Sequence, residues 1–245
     1  MKKTIVEISN RMLALTKLVS PGLKVCDIGC DHGFVSIYLV QKEIAPKVFA
    51  MDVRSGPLSQ AQAHIKQYGL EHCIETRLSD GLQKILPGEA ECMVCAGMGG
   101  PLMIKILEEG KAQALAMKEL ILQPQSELAE FRKYLRENGY HIIKEDMVFE
   151  DGKYYPMMKV VPKEVLDQPM GEDKEKQQIF DEYGQYLLEH KHPVLKQYLE
   201  HSKEVMQILS GKLQEQQGER ALARLPEVER ELLEIREALG YFEGE

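Results

Sequence analysis

The sequence predicts an α/β protein with a mostly parallel, seven-stranded sheet covered by helices on both faces, followed by a C-terminal helical, coiled-coil domain. Three observations predict it. Short apolar runs alternate with segments of helical periodicity between residues 24 and 138, the pattern of parallel strands joined by crossover helices. Two further runs, 141–149 and 154–161, are joined by Asp151-Gly152, a hairpin signal that reads as an antiparallel edge. Beyond residue 163, apolar side chains recur at steps of four and three, the spacing of a helical seam.

Taken in chain order, Ile5, Ile8, Met12 and Leu15 fall at helical spacing, so residues 4–18 read as an amphipathic helix that Pro21-Gly22 ends. Strands follow at 24–28, 48–52, 73–78, 92–96 and 119–123, with helices at 34–42, 57–68, 101–109 and 126–138. Pro162 and the stretch 167–173 read as a linker. This divides the chain into residues 1–162 and 163–245. In the second part, Leu195, Leu199, Ser202, Met206, Leu209, Leu213 and Gln216 form one heptad series. Val228, Leu232, Ile235, Leu239 and Phe242 form another, and Gly218 and Pro226 are expected to break the chain between them.

The 245 residues carry a net charge of −8, which argues against non-specific coating of nucleic acid. The charge is uneven. Residues 163–245 hold 11 basic and 19 acidic side chains, whereas residues 1–70 hold 9 basic and 5 acidic. No apolar run approaches the roughly 20 residues of a membrane span, and Glu7 and Asn10 interrupt any signal-peptide core. A soluble cytoplasmic protein with no membrane partner is expected. The five cysteines suit reduced, buried thiols. Cys92 and Cys95 could be imagined joining Cys26 and Cys30 around zinc. However, residues three apart on a strand face opposite ways, so no metal is expected. His141, His190, His192 and His201 read as surface or helix residues.

The sharpest motif follows the first strand: Asp27-Ile28-Gly29-Cys30-Asp31-His32-Gly33. Gly29 allows a tight turn and close approach of a ligand, and Gly33 lets the next helix start near the strand. Asp52, followed by Val53, ends the second strand, where a carboxylate can accept hydrogen bonds from both hydroxyls of a ribose. Ser79-Asp80-Gly81 follows the third strand, within reach of an adenine amino group. A dinucleotide fingerprint needs G-x-G-x-x-G, but the spacing here is G-x-x-x-G, and Asp27 and Asp31 would repel a pyrophosphate. Carboxylates suit a cation, which favours S-adenosylmethionine, with its sulfonium and ammonium groups, over NAD. Ala96-Gly97-Met98-Gly99-Gly100-Pro101 follows the fourth strand, at the end of the sheet where such folds bind ligands.

Asp27–Gly33 (DIGCDHG), the run Arg77-Leu78-Ser79-Asp80-Gly81-Leu82, Ala96–Gly100 (AGMGG) and Leu122-Gln123-Pro124 together resemble the bacterial TrmK family. The likeness spans about residues 1–162, and the helical tail is similar to that family's coiled-coil C-terminal domain. It departs from the family at Phe34-Val35-Ser36, where Tyr-Leu-Pro is expected, and at Asp52, where Glu is common. The resemblance implies a Rossmann-like class I methyltransferase that uses S-adenosylmethionine to methylate N1 of adenine 22 in tRNA. It implies cofactor contacts at Asp27, Gly29, Cys30, Gly33, Asp52, Val53, Ser79, Asp80, Gly81, Ala96, Gly97 and Met98. Asp31 and His32 are the expected catalytic pair. Substrate contacts are expected at Gly99, Gly100 and Gln123, with Lys2, Lys3, Arg11, Lys17 and Arg54 gripping phosphates. Two other readings stay open from the residues alone: a methyltransferase for a small molecule or protein, and a non-catalytic nucleotide-binding module that assembles partners through its coiled coil.

Overall fold

The structure, a computed structural model, describes residues 5–162, 174–216 and 218–243. The chain divides into two compact units, Met1–Gln168 and Pro169–Glu245. Lys2, Lys3 and the expected linker at 167–173 lie outside the described residues.

The first unit holds seven strands: β1 (Val25–Ile28), β2 (Val48–Asp52), β3 (Ile74–Leu78), β4 (Cys92–Met98), β5 (Glu119–Pro124), β6 (Tyr140–Glu150) and β7 (Lys153–Pro162). Their order in the sheet is β3-β2-β1-β4-β5-β7-β6. β1 to β5 pair in parallel, and β7 runs antiparallel to both β5 and β6. Asp151 and Gly152, at φ 50° and 75°, make the hairpin turn with left-handed backbone at both positions. β1 therefore lies between β2 and β4, where the strand order reverses, and ligands bind at the carboxyl ends of strands at such a point.

The helices are α1 (Asn10–Leu18), α2 (Phe34–Gln41), α3 (Ser55–Gln67), α4 (Gly100–Glu109), α5 (Lys111–Leu115) and α6 (Leu128–Glu137). Strand side chains alternate between two apolar clusters. Val25, Val48, Ala50, Cys92 and Val94 pack with Leu15, Ile37, Leu39, Ala61 and Ile65 of α1 to α3. Cys26, Met51, Met93, Cys95 and Leu122 pack with Met103, Leu107, Phe131 and Leu135 of α4 and α6. Burial on both faces explains why the strands read as continuous apolar runs.

The first helix differs from expectation, because residues 5–9 are not helical. Ser9 caps α1 by accepting from the Met12 N–H at 3.3 Å, and Glu150 Oε1 accepts from the Asn10 N–H at 2.8 Å. The Val6 N–H instead donates to Gln41 Oε1 at 2.7 Å. These partners satisfy the backbone without a longer helix. At the other end of α1, Lys159 Nζ donates to the Leu18 carbonyl and to Ser20 Oγ and pairs with Glu119 Oε2 at 2.8 Å.

The second unit contains α7 (Lys174–Tyr183), α8 (Gln185–Glu189), α9 (Pro193–Gln214) and α10 (Glu219–Gly240). α9 and α10 pack against one another, as in an αα-hairpin. Leu195, Leu199, Val228, Leu232 and Ile235 are buried, whereas Ser202, Met206, Leu209 and Leu213 are half-buried and Gln216 is exposed. Pro226 does not break the chain as expected but lies inside α10. It removes one backbone donor to residue 222, and both residues are exposed, so water can serve the released carbonyl.

Candidate functional site

The turn after β1 is held against β2. The Gly29 and Cys30 N–H groups both donate to the Met51 carbonyl, at 2.8 and 2.9 Å. Gly29 has φ +72° and Gly33 φ +76°, and a Cβ on Gly33 would stand 3.0 Å from the Ala61 Cβ of α3. Glycine at 33 thus permits the close approach of α2 and α3. Asp31, between them, is also left-handed at φ 49°, a conformation Asp tolerates better than most residues.

Three expected carboxylates have different surroundings. Asp27 is buried and accepts a 2.6 Å hydrogen bond from Ser36 Oγ. Burial pushes its carboxyl up to about 6, which the bond from Ser36 only partly offsets. Asp52 is also buried. Its Oδ1 accepts from the Arg54 N–H at 2.8 Å and its Oδ2 from the Asp31 N–H at 3.3 Å. Asp31 is exposed, with its Oδ2 3.5 Å from His32 Nε2.

A cavity of about 230 Å³ opens at the carboxyl ends of β1 and β4, and Asp27, Gly29, Cys30, Asp31 and His32 line one side of it. Val94 and Ala96 line it from β4, and Glu7, Ile8, Ser9 and Met12 wall it from the N-terminal segment and α1. Those four wall residues had no signal in the sequence, because nothing local shows that residues 5–12 fold over the strand ends. Asp52 and Ser79 stand at the ends of the next two strands. The backbone links them, since the Ser79 N–H donates to the Asp52 carbonyl at 2.9 Å. Ser79 Oγ donates to the Gly81 carbonyl and accepts from the Lys84 N–H, so it shapes its own turn. Asp80 is exposed beside it, and Val53 is 61% exposed at the end of β2.

The glycines at the end of β4 and just after it divide by role. Gly97 is exposed and left-handed at φ +78°. Gly99 and Gly100 face the loop after β5: a Cβ on Gly100 would stand 2.6 Å from the Ser126 carbonyl, and the Gly100 N–H donates to that carbonyl at 3.1 Å. Packing against that backbone is sufficient reason for glycine at 100.

The expected cations are also sorted. Arg11 Nη1 donates to Gln123 Oε1 at 3.0 Å, and its guanidinium lies 4.7 Å over the Tyr155 ring. It is therefore engaged within the protein and not displayed as a phosphate grip. Lys17 and Arg54 are exposed, although Arg54 Nε also lies 3.6 Å from Asp52 Oδ1. Arg77, part of the motif after β3, pairs with Glu75 and Glu89 and lies 4.4 Å over the Phe49 ring, a structural role. Gln123 is fully buried one strand from Ala96, its register partner.

The cysteines separate by face, with Cys30 and Cys92 in one apolar cluster and Cys26 and Cys95 in the other. Burial pushes the Cys95 thiol up to about 12 and raises Cys26 and Cys30 further, so these thiols stay protonated. Among the described residues, no group of three or more His, Cys, Asp or Glu could hold a metal ion.

Comparison with known proteins bears on this site. The tRNA (adenine(22)-N(1))-methyltransferase of Bacillus subtilis (strain 168) is 34% identical over 152 residues, 62% of this chain and 64% of that protein. The chain thus spans under two thirds of that relative's length. The crystal structure of the B. subtilis m1A22 tRNA methyltransferase TrmK superposes with a TM-score of 0.79 at 26% identity, over 95% of this chain and 99% of that one. A Streptococcus pneumoniae protein in complex with S-adenosyl-L-methionine gives 0.80 at 26% identity, over 95% and 100%. A family model described as a methyltransferase domain matches residues 8–158, from the cavity wall to β7, and the chain belongs to that family.

Proposed function

We propose that the protein is an S-adenosylmethionine-dependent methyltransferase that methylates N1 of adenine 22 in tRNA. The observation that carries the reading is the buried Asp27 beside the left-handed Gly29 turn, at the reversal of strand order. A carboxylate buried without a cationic partner is costly, and an ammonium or sulfonium supplies that partner. The residues present fit the cofactor. Asp27, Gly29, Cys30, Gly33, Ala96, Gly97 and Met98 would hold its charged end, Asp52 its ribose, and Val53, Ser79, Asp80 and Gly81 its base. The activities printed for the Bacillus relative and the TrmK structure supply the acceptor.

When bound, the cofactor supplies a methyl group already activated by its sulfonium. The chain then supplies mainly position and electrostatics. Adenine N1 carries its own lone pair, so no residue need deprotonate it. The methylated base is cationic, and the Asp31 carboxylate at the cavity mouth stabilises that charge as it forms, with His32 orienting the carboxylate from 3.5 Å. N1 lies on the pairing edge, so the adenine must leave its stack to enter the cavity.

In this reading, residues 1–162 carry the chemistry, residues 163–245 contribute tRNA affinity, and the protein works in the cytoplasm. No described helix is long and apolar enough to cross a membrane. The test is methylation of a tRNA pool with primer-extension mapping, since N1 methylation blocks pairing. The expected stop falls at adenine 22 and disappears when that base is guanine; an unchanged stop overturns the assignment. Removing residues 165–245 should weaken tRNA binding and spare cofactor binding, whereas equal tRNA affinity would make the helical unit structural.

A further inference from the structure

Phe34, at the first position of α2, lines the cavity and yet is 37% exposed. It belongs to neither apolar cluster of the first unit. Its ring stacks on His64 of α3, with centroids 4.7 Å apart and planes inclined by 23°. His32 completes a triangle of rings, 6.0 Å from Phe34 and inclined by 28°, and 6.1 Å from His64 and tilted by 51°. His64 is pinned, because its Nδ1 lies 3.0 Å from the His32 carbonyl. A carbonyl oxygen only accepts, so Nδ1 carries the hydrogen and the ring cannot turn without breaking that bond. The close packing of Gly33 on Ala61 sets the spacing of the two helices that carry the rings.

A cluster of rings that adds little to the core, at the edge of the proposed active-site cavity, calls for a flat partner. Drawing a nucleotide out of its stack leaves the face of its neighbour uncovered, and an aromatic surface at the cavity mouth replaces the lost contact. We propose that Phe34 and His64 form a stacking platform for the RNA base next to the methylated adenine. This rests on the reading of RNA as substrate and adds a specificity-determining surface to it.

The test uses the full chain with Phe34→Leu, which keeps an apolar side chain, Phe34→Trp, which restores a ring, and His64→Gln. Affinity for tRNA and for S-adenosylmethionine is measured separately, and 2-aminopurine beside the target adenine reports stacking by quenching. Phe34→Leu should weaken tRNA binding by about tenfold or more, the scale of one base–aromatic stack. It should also brighten the bound 2-aminopurine. Cofactor affinity should stay within about twofold, and Phe34→Trp should recover both losses. His64→Gln should give a smaller loss of the same kind. Unchanged tRNA affinity and quenching in Phe34→Leu overturn the platform, as does a loss confined to cofactor affinity. If the wild-type protein methylates an adenine other than 22 while tRNA binding still depends on the ring at 34, the functional reading fails and the platform stands.

Discussion

The carboxyl rim of the sheet and the C-terminal helices follow opposite rules. At the rim, Gly29, Asp31, Gly33 and Gly81 take left-handed backbone within turns after strands, Gly97 does so at the irregularity near the end of β4, and Asp27 is buried with a hydroxyl as its hydrogen-bond partner. In the helical unit, α9 and α10 are regular 22-residue helices whose buried side chains are mostly Leu, Val, Ile and Ala. The rim departs from what is locally most stable, as sites prepared for a ligand do. The helices gain stability from ordinary burial. Substitutions at the rim should therefore change binding, and substitutions in the helices should change stability.

The largest expected effect is at Gly29. Gly29→Val places a β-branched residue at φ +72°, and calorimetry should show cofactor affinity reduced by roughly 100-fold or more while far-UV circular dichroism is retained. Normal affinity would remove the turn from the site. Leu199→Ala empties a fully buried position in α9 and should lower unfolding stability by about 2–5 kcal/mol in urea titration. Cofactor affinity should not change, and a matching loss of affinity would erase the contrast between the regions. Asp52→Ala should weaken cofactor binding by about 10-fold to 100-fold, since charged hydrogen bonds are worth about 1.5–3 kcal/mol.

The pH dependence is set by Asp27. Its folded carboxyl holds a proton more tightly than an unfolded one, with a value raised from 3.8 to about 6. In the unliganded protein this group's contribution to stability therefore falls as pH rises between those values. A cationic ligand favours the carboxylate, so cofactor affinity should rise with pH up to about 6 and level off above it. Below that point it should fall by about tenfold per pH unit. Asp27→Asn should flatten this profile, and a profile unchanged in that variant would assign the pH dependence elsewhere. The smallest effect is at Gly211, in the interior of α9 with open space where a Cβ would stand. Gly211→Ala should raise stability by about 0.5–1 kcal/mol in thermal unfolding and leave cofactor affinity alone.

Most of the sheet was readable because its signals are local. Buried parallel strands are short apolar runs, the hairpin is marked by Asp151-Gly152, and the turn after β1 is marked by glycines that positive φ demands. The errors also have local causes. Ile5 and Ile8 fit helical spacing, but Gln41 and Glu150, which are distant in sequence, supply the partners that start α1 at Asn10. Pro226 reads as a breaker, but an exposed helix face tolerates the missing donor. The five-residue α5 is too short to show periodicity.

The sequence by itself determined the order of strands and helices along the chain, the carboxylates at three strand ends and the glycines of the turn after β1, since each depends on residue type and near neighbours. Tertiary structure alone decided that Glu7, Ile8, Ser9 and Met12 wall the cavity, that Arg11 is held by Gln123 and Tyr155, and that Phe34 and His64 stack. It also decided that burial pushes the Asp27 carboxyl up to about 6. Those properties arise from desolvation and from contacts between residues far apart in the chain, which no local pattern encodes.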